Sequence, residues 1–81
     1  MSLNVGSVTR AASKELRRSL RKRKKPLASA HEGLGYLLEE IRELETEVFT
    51  RESKRNRNRM RKEAIQVAAM ALRFALECCD E

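Results

Sequence analysis

Residues Ala64–Cys79 read AIQVAAMALRFALECC, a helix-length segment that is apolar on almost every side. Only Gln66, Arg73 and Glu77 interrupt it. At about 100° per residue these three, with Glu63 just before them, lie within about 80° of one another. A helix apolar on all its other sides demands cover. Its one polar line must then meet polar groups inside the fold or the assembly, which makes that line the first candidate for a site.

Length sharpens the demand. The 81 residues form one domain at most, spanning 1–81. A chain this short buries only about 60–65% of the surface its unfolded state exposes. Two further helices cannot enclose such a segment, so self-association into a dimer or tetramer is expected.

The net charge of +6 is arranged in blocks. Residues 1–30 carry +8, residues 31–50 carry −5, residues 51–63 carry +5 and the remainder −2. A uniformly basic chain would suggest a nucleic-acid or membrane surface. An acidic helix between two basic segments suggests instead a cation held by carboxylates and an anion held by the flanking bases. Cys78 and Cys79 are adjacent, have no other cysteine to pair with, and lack zinc-ligand spacing; they read as small apolar residues of a buried helix. A reducing, cytoplasmic setting is expected. The N-terminus has no signal-type apolar run, and Ala64–Ala75 is too short and interrupted to span a bilayer, so no membrane partner is expected.

Strand alternation is absent and helix formers dominate. The fold expected is all-α: an antiparallel three-helix unit that completes a four-helix-type bundle by oligomerisation. The first helix spans 7–24, from Ser7 as N-cap to the residue pair before Pro26. Its apolar stripe is thin (Val8, Ala11, Ala12, Leu16, Leu20), and its end carries the basic run RRSLRKRKK. The second spans 30–50 and opens on Ser29-Ala30-His31-Glu32, a capping-box pattern. Leu34, Leu37, Leu38, Ile41, Leu44 and Val48 follow at spacings of three and four, a core-facing stripe. Gly33 and Gly35 each cost this helix about 1 kcal/mol against alanine, which close approach of another backbone could explain. The third helix spans 56–79, after a connection in which Asn56 and Asn58 favour turns or caps.

Glu39, Glu40 and Glu43 spell E-E-x-x-E on the second helix. Glu40 and Glu43 share a face at the edge of the leucine stripe, with Glu47 extending the line. Glu63 and Gln66 lie three apart on the polar line of the third helix. Antiparallel packing of the two helices lets these pairs face each other. Two like charges 4 Å apart cost about 4 kcal/mol at an effective dielectric of 20, so the cluster calls for protonation or a hard cation. An oxygen-only ligand set favours Mg²⁺ or Mn²⁺ over zinc.

Over His31–Arg73, and most closely in HEGLGYLLEEIRELETEVF and RKEAIQVAAMALRF, the chain resembles the MazG-like members of the all-α nucleoside triphosphate pyrophosphohydrolases. These carry E-E-x-x-E on one helix and E-x-x-D on the next. The resemblance implies Mg²⁺-dependent hydrolysis of a nucleoside triphosphate to monophosphate and pyrophosphate. It implies Glu40, Glu43, Glu63 and Gln66 as metal ligands. Gln66 stands where the family has Asp, removing one negative charge and weakening the site. Glu39 or Glu43 could take the proton of the attacking water. Lys54, Arg61 and Lys62 are candidates for the triphosphate, because guanidinium and ammonium groups match phosphate oxygens. Arg73, on the polar line itself, is either ion-paired, for instance to Glu77 of another subunit, or a substrate contact. His31 reads as a solvent-facing helix-start residue, and Tyr36 as core or rim packing.

Two other functions compete. The basic runs suggest a small helical nucleic-acid-binding protein, against which stand few aromatics and an acidic middle helix. The alternating charge blocks also suit a catalytically inactive interaction module.

Overall fold

The chain is described by a computed structural model over residues 4–23, 25–50 and 52–79. Three α-helices form: α1 (Val5–Lys22), α2 (Ala30–Val48) and α3 (Arg57–Cys78), with a 3₁₀ turn at Glu52–Lys54 between α2 and α3. Among the described residues there is no strand, and no helix is long and apolar enough to cross a membrane.

Each helix starts where a short polar side chain replaces a missing backbone partner. Asn4 caps α1, its Oδ1 accepting from the Ser7 amide at 2.8 Å while Ser7 Oγ accepts from the Asn4 amide at 3.1 Å. Ser7 is therefore the third residue of the helix and the second half of a capping box, rather than the N-cap. Ser29 caps α2 as its pattern predicts, accepting from the Glu32 amide at 3.1 Å. The reciprocal half slips by one residue: Glu32 Oε1 accepts from Ala28, not Ser29. Asn56 caps α3 through the Arg59 amide. The C-terminus of α2 has no basic residue in its last turn, and Arg55 from the following connection supplies one, donating to the Val48 carbonyl at 2.8 Å. The expected first-helix end at Lys24 lies outside the described residues; α1 itself stops at Lys22, with Arg23 in extended geometry.

α3 is the central element, packed by α1 on one side and α2 on the other. Neighbours run in opposite order: Gly33 meets Phe74 and Cys78, whereas Glu40 and Glu43 meet Glu63. On the other side, Val8 and Ala12 share a groove with Ala71 and Leu72, while Lys22 shares one with Lys62. Both flanking helices are thus antiparallel to α3. The chain must then return along α3 between the end of α1 and the start of α2. Arg23 and residues 25–29 do so as a strap whose contacts advance down α3. Arg23 lines a cleft with Gln66 and Met70, the Lys25 carbonyl meets Arg73, the Leu27 amide meets Glu77, and the Ser29 carbonyl meets Cys78. Six extended residues reach about 20 Å, and the twelve helical residues from Gln66 to Cys78 rise about 18 Å, so the lengths match.

This strap covers the polar line of α3, as the sequence requires, while part of the helix's apolar surface is left without cover from its own chain. Arg73 is 1% exposed, yet Leu72 and Leu76 are 43% and 49% exposed. The polar line of α3 faces inward together with Ala69 and Met70, and the Leu72–Leu76 side faces out. α2 turns only part of its leucine stripe inward: Leu37 and Leu44 are half-buried beside Glu40 and Glu47, while Leu34, Leu38, Ile41 and Val48 are exposed. Buried apolar side chains among the described residues are Ala12, Leu27, Ala69 and Met70. Cys78 is half-buried and Cys79 exposed, so the cysteine pair is less enclosed than its composition suggests.

The two glycines of α2 differ. A methyl group on Gly33 would sit 2.7 Å from Phe74 Cδ2 and 3.2 Å from Cys78 Sγ, so the close approach is that of a side-chain ring rather than another backbone. Gly35 has nothing within 4 Å of that position. Gly35→Ala is expected to stabilise the chain by about 1 kcal/mol through helix propensity. Gly33→Ala is expected to lose that gain to overpacking, which costs about 1–3 kcal/mol. Thermal melts of both variants check the difference; equal midpoints would remove the packing role assigned to Gly33.

Candidate metal centre and anion cleft

α2 contributes its carboxylates one helical turn apart, and α3 contributes the opposing one. Glu40, Glu43 and Glu63 each place one carboxylate oxygen within 4.8 Å of the others. Glu40 and Glu63 are half-buried between the helices and Glu43 is exposed at the rim. Oε2 of Glu40 and Oε2 of Glu63 are both shut off from solvent without a hydrogen-bond partner. Burial without pairing disfavours the charged form. The Glu40 carboxyl is accordingly held above its ordinary value of 4.5, first by burial and then by the charges of Glu43 and Glu63. Glu63 is raised as well, first by burial and then by the neighbouring Glu43 carboxyl.

Gln66 lies one turn along α3 from Glu63 and shares a cleft with Glu40. That cleft is about 360 Å³, and its far wall comes from α1: Glu15, Arg18, Ser19 and Lys22, with Arg23 at the start of the strap and Lys62 closing the α3 side. Arg23 is fixed by laying its guanidinium 4.2 Å from the centroid of Tyr36, a cation–π contact that joins strap to α2. Tyr36 is thus a rim residue with a specific partner.

The other sequence candidates are spread more widely. Glu39 is exposed on the outer face of α2, in a shallow groove with Tyr36 and Arg42, rather than in the carboxylate cluster. Lys54 is exposed in the 3₁₀ turn. Arg61 is exposed and donates to Asn58 Oδ1 at 3.3 Å. Of the basic connection, Lys62 alone lines the cleft. Arg73 is an ion-pair partner within its own chain: its Nε donates to Glu77 Oε1 at 2.9 Å, with the side chains 2% and 13% exposed. Glu77 therefore needs no second subunit to meet Arg73, and the pair anchors the strap. His31 is exposed, as its place in the first turn of α2 implies.

Arg18, Lys22 and Arg23 were not singled out by the sequence, although the signal was present. Glu15, Arg18, Ser19 and Lys22 follow at i, i+3, i+4 and i+7, one face of a helix. Without knowing which face α1 turns toward α2, nothing distinguished these bases from solvated ones.

An oxygen-only donor set, two oxygens buried without partners and mutual repulsion all fit a hard divalent cation better than a structural ion pair. The basic wall fits an anion beside it. No protein-family model matches the chain, and neither the curated proteins nor the solved structures searched include a match to it.

Proposed function

We propose that the protein is a divalent-metal-dependent nucleoside triphosphate pyrophosphohydrolase of the MazG-like type, releasing monophosphate and pyrophosphate. The observation that carries this reading is the convergence of Glu40, Glu43 and Glu63 from two helices, with buried oxygens unpartnered, beside a cleft walled by bases. Either half alone is common on helical surfaces; a cation site adjoining an anion site is what a metal–triphosphate complex requires.

Glu40, Glu43 and Glu63 would hold Mg²⁺ or Mn²⁺, with the neutral amide oxygen of Gln66 beside them. When bound, the ion supplies charge neutralisation at phosphate oxygens and a water of lowered pKa. Glu43, at the exposed rim, would accept the water's proton. Arg18, Lys22, Arg23 and Lys62 would orient the phosphate chain and offset its charge. A cytoplasmic setting suits free thiols and nucleotide substrates. A homo-oligomer belongs to the same reading, two three-helix units completing a four-helix-type bundle.

Purified protein incubated with each common NTP and dNTP plus Mg²⁺ or Mn²⁺ is expected to release pyrophosphate. Absence of turnover with every nucleotide, together with no metal-dependent thermal shift, would overturn the proposal. Gln66→Asp restores a fourth carboxylate and is expected to tighten Mn²⁺ binding about tenfold, the order of a single added charge-assisted contact. Calorimetric titration of both proteins measures it, and unchanged affinity removes residue 66 from the coordination sphere.

A further inference from the structure

Between Ala64 and Leu76 the outer face of α3 carries no polar residue. Ala64, Ala71, Leu72, Ala75 and Leu76 are exposed there, and half-buried Ala68 lies on the same line. An apolar groove of about 500 Å³ flanks this line on the α1 side, formed by Val8 and Ala12 against Ala71 and Leu72. A smaller groove flanks it on the α2 side, where Phe74 meets Leu34. Leu38 and Ile41 continue the apolar surface along α2. A soluble monomer rarely leaves such a continuous apolar surface to water.

The amount of surface is also wrong for a lone chain. It exposes 6573 Å², against about 5,000 Å² for a compact monomer of this mass. Its radius of gyration is 13.8 Å, against about 11.7 Å expected. A standard interface takes about 800 Å² from each partner, so the excess is large enough to supply one.

Charge decides the occupant and its direction. Arg57 and Arg61 lie on the same line at the N-terminal end of α3, and Asp80 and Glu81 follow its C-terminal end in the sequence. Two copies laid parallel would bring the arginines together. Two copies laid antiparallel keep the arginines of one chain apart from those of the other. The small residues are themselves arranged for that direction. Ala64 and Ala75 are as far from the midpoint of the line as each other, and so are Ala68 and Ala71. A two-fold axis there sets Ala64 opposite the partner's Ala75 and Ala68 opposite the partner's Ala71. Methyl groups at all four contacts let the helix axes approach to about 8 Å.

We infer that this face is the interface with a second copy of the chain, with the α3 helices antiparallel about a two-fold axis between Ala68 and Ala71. The inference does not depend on the carboxylate site, which lies on the inward side of α3.

Sedimentation equilibrium of the purified full chain at micromolar concentration tests association, and disulfide trapping tests the face. In a Cys78→Ser/Cys79→Ser background, a mixture of Ala64→Cys and Ala75→Cys chains is expected to cross-link, while either chain alone is not. Residues 64 and 75 of one chain are about 16 Å apart along the helix, so only a partner can bridge them. Ala71→Glu is expected to shift the species to chain mass with its helical circular dichroism kept; if that variant unfolds, the trapping result still decides. A monomer throughout, cross-linking of Ala64→Cys chains alone, or an oligomer that traps no α3 pair would each overturn the inference. So would a monomer that co-sediments with phosphatidylserine vesicles, since the face would then be a lipid-docking surface.

Discussion

Arg73→Ala is expected to lose about 3–5 kcal/mol of stability, the range for breaking a buried ion pair from one side. A chain of this length has about 4–12 kcal/mol in total, so the variant is expected to be largely unfolded near 37 °C. The size of the effect follows from what the guanidinium holds. Its Nε donates to Glu77 Oε1 at 2.9 Å, and that same oxygen accepts from the Leu27 amide at 2.9 Å. Its Nη2 donates to the Lys25 carbonyl at 3.4 Å. Removing it leaves the Lys25 carbonyl without its donor and the Glu77 carboxylate without its cation, and loosens the strap that carries buried Leu27. Nη1 is buried without a partner among the described residues, so the guanidinium's other bonds must offset its desolvation. Arg73→Lys is expected to recover less than half, because an ammonium cannot serve the strap and Glu77 in the planar fork geometry. Denaturant melts at two protein concentrations separate this loss from any weakening of self-association. An Arg73→Ala midpoint within error of wild type would show that the strap is held by something else.

Glu40→Gln is expected to have opposite effects on activity and stability. As a lost metal ligand it reduces turnover by on the order of 100-fold or more, since even second-shell changes cost about 10–100-fold. In metal-free protein it removes a half-buried carboxyl from the field of Glu43 and Glu63, and the melting temperature is expected to rise. The pH dependence carries the same sign. Glu40 and Glu63 keep their protons in the folded chain to higher pH than the ordinary 4.5 of the unfolded one. The folded state then binds more protons, so metal-free stability is greatest below that value and falls as pH rises through the folded values. Glu40→Gln flattens this decline. Added Mn²⁺ reverses it, because the cation competes with protons for the same oxygens. Thermal melts from pH 4 to 8, with and without Mn²⁺, measure all three trends; a wild-type profile that rises with pH in the absence of metal would refute the clustering.

The helices and the acid cluster were legible for different reasons. Helix positions follow from local chemistry: Ser29 and Asn56 cap where their short oxygens reach free amides, and Pro26 forbids continuation. Ser7 was misplaced by three residues because Asn4 and Ser7 can each serve either half of a capping box. Glu40, Glu43 and Glu63 could be paired on paper because helical spacing puts each on a known side, and a short connection makes neighbours antiparallel. Glu39 shows the limit of that method: its neighbour in sequence points about 100° away, and only the observed rotation of α2 sends it to the outer face.

Three helices, the starts of α2 and α3, and a polar line on a helix otherwise apolar follow from the amino-acid order alone. Those features depend on spacing and caps, which act within a few residues. Tertiary structure alone decided what that line meets. Its Glu63 end faces the carboxylates of α2, while its Arg73–Glu77 end is taken by the returning strap. That assignment depends on the path of residues 25–29 along α3 and on the rotation of each helix about its axis. Both are set by contacts between residues about 50 apart in the chain, which no local pattern encodes.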